Sequence, residues 1–166
     1  MGDGDTGSTL ATGARFVVKA VQDKQLPLND PAALLRWLGE SITTPMGGSG
    51  GVLLSLLFSA SAEGYAEQQH IGKALLAGLE QMKKYGGAKT GDRTMVDALQ
   101  PALEALAANA DWDQVVAAAE KGAAATAEMK KAGAGRSAYL NADSLQGHID
   151  PGARAVSEVF SAIRRH

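Results

Sequence analysis

The sequence has no cysteine, which excludes disulfides and thiolate metal ligands. Aromatic residues make up only 5% of it and β-branched residues are sparse beside alanine and leucine, which argues against a sheet and for helices. No excess of positive charge is present. The net charge is −2, and Lys83-Lys84, Lys130-Lys131 and Arg164-Arg165 read as solvated helix ends, so no nucleic-acid partner is expected. The longest strongly apolar run, Val52 to Phe58, is interrupted by Ser55 and is far too short to span a bilayer, so no membrane insertion is expected either. The chain does not open with a charged n-region and an apolar h-region, and a cytoplasmic location is the expectation. The phosphate-loop pattern G-x-x-x-x-G-K-[ST] does not occur, and no zinc-ligand spacing or Ser/His/Asp order can be assembled. His70, His148 and His166 do not cluster.

What the chain does have is glycine, in runs placed where helices begin. With 166 residues, one domain is the simplest organisation. The spacing of apolar residues predicts helices over about Ser8 to Val21, Asp30 to Thr43, Val52 to Gly64, His70 to Tyr85, Met95 to Leu106, Asp113 to Lys131, and from Pro151 to the C-terminus. Pro45 is expected to stop the second of these and Pro101 to bend the fifth. Leu10, Ala14, Val17, Val18 and Val21 recur at roughly helical spacing as the apolar face of the first helix, and Val156, Val159, Phe160 and Ile163 are expected to face inward from the last. The Val52 helix, apolar on most sides, is expected to be central. The fold class is therefore all-α, an antiparallel helical barrel or bundle of about seven helices.

The first nine residues, Met1-Gly-Asp-Gly-Asp-Thr-Gly-Ser-Thr9, carry the sharpest chemical signal. Asp3 and Asp5, on backbone kept supple by Gly2, Gly4 and Gly7, can turn their oxygens toward one hard cation such as Mg²⁺. A helix beginning just after would set the unpaired N–H groups of Thr6 to Leu10 beside that metal, where its dipole favours a phosphate. A plain turn is the competing reading of the same residues. An EF-hand loop counted from Asp3 fails, because Ala14 stands where a bidentate Glu is needed. A metal loop at a chain terminus is anchored from one side only, which points to residues upstream having been removed.

If the helices run up and down, Gly2 to Gly7, Gly47 to Gly51, Gly86 to Thr94 and Asp150-Pro151-Gly152 fall at one end, and glycine-rich loops there would form one anion site. Each has a bland alternative. Gly47-Gly-Ser-Gly-Gly51 could be a connector, Asp92 or Thr94 a helix cap, and Arg136, after Gly133-Ala-Gly135, a surface arginine rather than a ligand of a diphosphate. The equipment fits phosphoryl transfer, in which metal ions and oriented donors supply most of the catalysis.

Taken in order, Gly2-Asp-Gly-Asp-Thr-Gly7, Met46-Gly-Gly-Ser49, Gln81-Met-Lys-Lys-Tyr-Gly86, Gly91-Asp-Arg-Thr-Met95, Ala134-Gly-Arg136, Tyr139-Leu140 and Asp150-Pro-Gly-Ala153 resemble the nucleotide-binding domain of the dihydroxyacetone (glycerone) kinase family. The match covers nearly the whole chain. Asp97-Ala-Leu-Gln-Pro-Ala-Leu103 makes it most similar to the C-terminal domain of bacterial ATP-dependent, single-chain forms. The resemblance implies a kinase domain over residues 1–166, in a helical barrel that holds ATP or ADP with Mg²⁺ at one end. It implies Asp3 and Asp5 as metal ligands, and nucleotide contacts from Thr6, Gly7, Ser8, Thr9, Gly48, Ser49, Gly50, Gly86, Thr94, Met95, Arg136, Asp150, Pro151 and Gly152. Arg136 would also act in catalysis, on the transferring phosphoryl group.

The partner so implied is a separate domain or subunit that holds dihydroxyacetone, for which these residues offer no candidate, and the setting is glycerol metabolism. The sequence departs from the family pattern in three places. The family's first helix and a third metal-binding Asp would lie upstream of Met1, a second serine is replaced by Gly50, and the hydroxyl expected one residue later sits at Ser137. A barrel short of one helix would expose apolar surface, through which the chain could form a homodimer. Two other readings stay open: an ADP-binding subunit rephosphorylated by a phosphotransferase partner, and a non-catalytic helical scaffold with a lipid in its interior.

Overall fold

The computed structural model describes residues 5–139 and 145–165, without the side chains of Asp5, Thr6, Arg136 and Ser137. Among these residues there is no strand. Among the described residues there are seven helices of eleven residues or more, a one-turn helix and two short 3₁₀ turns. They are α1 (Asp5–Gln22), α2 (Pro31–Ser41), the one-turn α3 (Thr43–Met46), α4 (Gly48–Gln68), α5 (Ile71–Gly86), α6 (Val96–Ala107), α7 (Trp112–Ala125) and α8 (Pro151–Arg164). No described helix is long and apolar enough to cross a membrane. The chain divides into two compact units, residues 7–85, and residues 86–166 together with 1–6.

In the unit of residues 7–85, α4 lies in the middle because it carries small residues on several faces. Gly39 of α2 lies against Ser59, and the Ser55 hydroxyl donates to the Gly39 carbonyl. On another side Gly78 of α5 abuts the Ser61 hydroxyl and the Leu57 carbonyl, and Gly64 faces Ala74 at 3.4 Å and Ala77 at 3.6 Å from where its Cβ would be. The Ser61 hydroxyl, fully buried, donates to the Leu57 carbonyl at 2.7 Å, so this crossing carries no unsatisfied hydroxyl. Met46 packs over Gly13 of α1 and Gly51 of α4, and Phe16 stacks on Trp37 with ring centroids 5.5 Å apart. The expectation that α4 is central therefore holds within its unit.

Several boundaries differ from expectation for identifiable reasons. Pro45 does not stop the chain's helical course. It occupies the first turn of α3, where a missing N–H leaves no bond unmade, and Gly47 with φ +64° makes the break. The following glycines are not a connector, since Gly48, Ser49 and Gly50 form the first turn of α4. The first helix already includes Asp5, so the amides of Thr9 and Leu10 belong to its internal ladder and only Thr6 to Ser8 lie in its first turn. Of the apolar set expected along the first helix, Ala14, Val18 and Val21 are exposed.

In the unit of residues 86–166, α7 is the middle element. It begins with a capping box, the Asp111 carboxylate accepting from the Gln114 amide at 2.8 Å while the Gln114 side chain accepts from the Asp111 amide. Ala98 of α6, Ala123 of α7 and Ala153 of α8 form a buried cluster backed by Ile149 and Val156. At the other end Trp112 lies on Phe160, centroids 5.7 Å apart, and its indole N–H donates to the Phe160 carbonyl. Val159 and Ile163, expected inward, are each more than half exposed, because the buried stripe of α8 runs through Ala153 and Phe160.

Pro101 lies inside α6 and has no N–H to give the Asp97 carbonyl four residues earlier. That carbonyl is covered instead by Gly122 of α7, whose Cβ, if present, would strike it and come within 3.0 Å of Pro101 Cγ. Alanine in a helix interior is ordinarily favoured over glycine by about 1 kcal/mol. Here the overpacking against backbone outweighs that gain, and Gly122→Ala should lower stability by about 1–3 kcal/mol. For a chain of this size a thermal melt would show a fall of roughly 2–4 °C per kcal/mol; an unchanged or raised midpoint would contradict the packing described.

Candidate functional site

The start of α6 is held by a carboxylate that lies inside the helix. Asp97, buried, accepts from the Gly91 amide at 2.6 Å through Oδ1 and from the Thr94 amide at 2.8 Å through Oδ2. The loop so gathered contains left-handed backbone at Gly87, Gly91 and Arg93, with φ of +69°, +96° and +59°. Of the two helix caps that the sequence admits as alternatives, Thr94 acts as one, its hydroxyl accepting from the Val96 amide at 3.2 Å at the start of α6, and Asp92 does not. Asp92 accepts from the Lys89 amide at 2.8 Å, and helix α6 starts at Val96 with no side-chain cap on Met95.

Arg93 points inward and is about 1% exposed. Its Nη2 donates to the carbonyls of His148 at 2.7 Å and Leu145 at 3.3 Å, and its Nη1 lies 3.8 Å from Asp150 Oδ1. Asp150 in turn caps α8, accepting from the Ala153 amide at 3.0 Å, while its own amide donates to the buried Thr126 hydroxyl at 2.8 Å. The Thr126 hydroxyl donates in turn to the Ala123 carbonyl at 2.6 Å. A continuous polar network thus runs from the Gly87–Met95 loop to the N-terminus of α8.

These contacts bring Thr94, Met95, Asp150, Pro151 and Gly152 together. A Cβ on Gly152 would lie 3.4 Å from both the amide nitrogen and Cβ of Met95. The loop before Arg136 joins them, since the Gly133 amide donates to the Asp92 carbonyl at 3.0 Å and Gly135 lies beside Thr94. Gly86 is the last residue of α5, followed by the left-handed Gly87. In the other unit, Gly48 and Ser49 are exposed on the first turn of α4, and a Cβ on Gly47 or Gly50 would meet nothing within 4 Å. Gly7, Ser8 and Thr9 lie at the start of α1, and Gly7 also has open space at its Cβ position. Asp3 and the side chains of Asp5, Thr6 and Arg136 lie outside the described residues, as does Leu140.

The chemistry of the described part suits a polyphosphate. The N–H groups of Gly48, Ser49 and Gly50 have no preceding turn of α4 to donate to, and the glycine surface over them is open. Among the described residues no group of three or more His, Cys, Asp or Glu could hold a metal ion. Arg93, Asp97 and Thr126, which hold the loops, were not singled out from sequence; the one available signal was Thr94-x-x-Asp97, which has the spacing of a capping box.

Residues 1–165 match the DAK2 domain, and the chain belongs to that family. It is 48% identical over 164 residues to the dihydroxyacetone kinase of Citrobacter freundii, covering 98% of this chain and 30% of that protein. It is 40% identical over 172 residues to the triokinase/FMN cyclase of Homo sapiens, again covering 98% and 30%. The crystal structure of the native C. freundii dihydroxyacetone kinase superposes with a TM-score of 0.87 at 45% identity, over 99% of this chain and 29% of that one. The same kinase in complex with AMP-PNP and Mg²⁺ gives a TM-score of 0.83 at 43% identity, over 99% and 28%. The chain therefore spans less than a third of the length of these relatives.

Burial raises the Asp150 carboxyl above its ordinary value of 3.8, and the nearby Asp97 adds to the rise; the Ala153 amide, the Arg93 guanidinium and the Gly152 amide oppose it without cancelling it. The folded protein thus holds this proton more tightly than the unfolded chain does. The contribution of the group to stability is complete below the unfolded value and declines as pH rises through the folded one. Asp150→Asn removes the titration, so the stability of the unsubstituted protein relative to the variant should grow as pH falls from 7 toward 4. Urea denaturation across that range checks it, and a difference that shrinks on acidification would contradict the assignment.

Proposed function

We propose that this chain is the nucleotide-binding part of a dihydroxyacetone kinase, presenting Mg²⁺·ATP to dihydroxyacetone held on a separate domain or subunit. The observation that carries the reading is the open glycine surface with unspent amides at the start of α4, in a chain 48% identical to a dihydroxyacetone kinase across 98% of its length. The AMP-PNP and Mg²⁺ in the related crystal structure support the choice of ligand.

In this reading the first-turn amides of α4 and α1 donate to the phosphate oxygens, and Ser49, with Ser8 and Thr9, adds hydroxyls. Asp3 and Asp5 would hold the metal, which when bound supplies positive charge beside the transferring phosphoryl group. Arg136 would donate to that group, as the family resemblance implies. Thr94, Met95, Gly86 and the start of α8 contact the rest of the nucleotide. The hydroxyl that attacks belongs to a molecule bound elsewhere, so these residues orient and neutralise rather than carry the nucleophile. The purified chain alone is expected not to phosphorylate dihydroxyacetone.

The direct test is calorimetry with ADP, with and without Mg²⁺, on the chain and on Asp5→Asn. Mg²⁺-dependent binding that the variant loses is the expected result; no binding by folded chain would overturn the reading and favour a scaffold. Gly50→Ser adds a second test, because the position is open and its backbone conformation is ordinary. The added hydroxyl is expected to leave the melting temperature unchanged or higher, since serine is preferred to glycine within a helix, and to tighten ADP binding. Weaker binding by a stable Gly50→Ser protein would count against the phosphate lying over α4.

A further inference from the structure

We propose that Asp97 and Arg93 are positioning residues for the nucleotide, acting through the backbone of the loop at 87–95 rather than by touching the ligand. The inference rests on the nucleotide-binding reading and goes beyond it, since neither side chain is among the contacts that reading uses. Arg93 has φ +59°, a conformation that L residues avoid unless their surroundings impose it. Here it is imposed from both sides, by the Asp97 carboxylate holding the amides of Gly91 and Thr94. The left-handed turn sends the Arg93 side chain into the protein, where its planar fork holds the Leu145 and His148 carbonyls and faces Asp150. One carboxylate and one guanidinium therefore tie the loop carrying Thr94 and Met95 to the segment that leads into Pro151 and Gly152.

The chemistry predicts which conservative changes fail. Asparagine at 97 keeps the volume but turns one acceptor into a donor that faces an amide N–H, so one of the two bonds becomes a repulsion. Lysine at 93 keeps the charge but lacks the fork that reaches two carbonyls at once. Both changes misplace the loop without emptying the core. Val115→Ala, which opens a cavity in α7 away from the loop, provides a destabilised comparison.

The experiment is ADP calorimetry in Mg²⁺ on the unsubstituted chain, Asp97→Asn, Arg93→Lys and Val115→Ala, each with its urea denaturation curve. Asp97→Asn and Arg93→Lys should bind ADP about tenfold more weakly or worse, because small misplacements of a preorganised site are costly. Val115→Ala should bind as the unsubstituted chain does, whatever its stability. Folded Asp97→Asn or Arg93→Lys proteins with unchanged affinity would overturn the positioning role alone. Equal loss in Val115→Ala would also overturn it, since affinity would then follow stability. If only one loop variant folds, it decides; if neither folds, the pair is structural and the proposal falls. No binding by the unsubstituted chain overturns the nucleotide reading itself, and this role with it.

Discussion

The Arg93 guanidinium, buried between the Leu145 and His148 carbonyls and the Asp150 carboxylate, is the constraint on which residues 86–166 depend. A buried charge is costly unless its surroundings return the lost hydration, and Arg93 Nε has no hydrogen-bond partner among the described residues. An unmade bond of this kind costs on the order of 1–3 kcal/mol, and breaking a buried ion pair from one side about 3–5 kcal/mol. A well-packed apolar residue would remove the first cost. It would leave the segment before α8 without its anchors, because no apolar side chain can hold two carbonyls and a carboxylate in fixed relation. The network specifies geometry more than it adds stability.

Fixed geometry also explains how glycine is used. Gly39, Gly78 and Gly122 each let a neighbouring helix come close to backbone or to a serine hydroxyl, and a side chain at any of them would push two helices apart. Gly47, Gly50, Gly87 and Gly91 meet nothing where a Cβ would be. The first group closes the packing inside each unit; in the second, Gly47 and Gly50 leave open surface beside the first-turn amides of α4, which is the arrangement a phosphate needs, while Gly87 and Gly91 supply left-handed backbone to the loop before α6. Rigid helices beneath bare loops are what preorganised binding calls for.

The helical class and most helix starts could be read from the sequence because their causes are local. Asp30-Pro31 and Asp150-Pro151 each pair a capping carboxylate with a proline at the first helical position, and the side chains accept from Ala33 and Ala153 as that pattern dictates. What could not be read depends on partners distant in sequence. Periodicity alone grouped Val18 and Val21 with the apolar face of the first helix and placed Val159 and Ile163 inward, yet which of two adjacent stripes is buried is decided by the neighbouring helix. Pro45 was read as a stop because proline is one in a helix interior, whereas α3 begins only two residues before it. Arg93 looked like part of a helix start, since its carbonyl partners lie more than fifty residues away.

The central claim is that Asp97 makes the Gly87–Met95 loop as firmly held as the helix it precedes. Native-state hydrogen exchange tests it most directly, by comparing the Gly91 and Thr94 amides with that of Leu99, which donates to the Met95 carbonyl at 3.0 Å inside α6. If the claim is right, all three exchange with similar protection and lose it together as urea is raised, because they open in one cooperative event. Gly91 and Thr94 exchanging at the rate of exposed loop amides while Leu99 stays protected would contradict it.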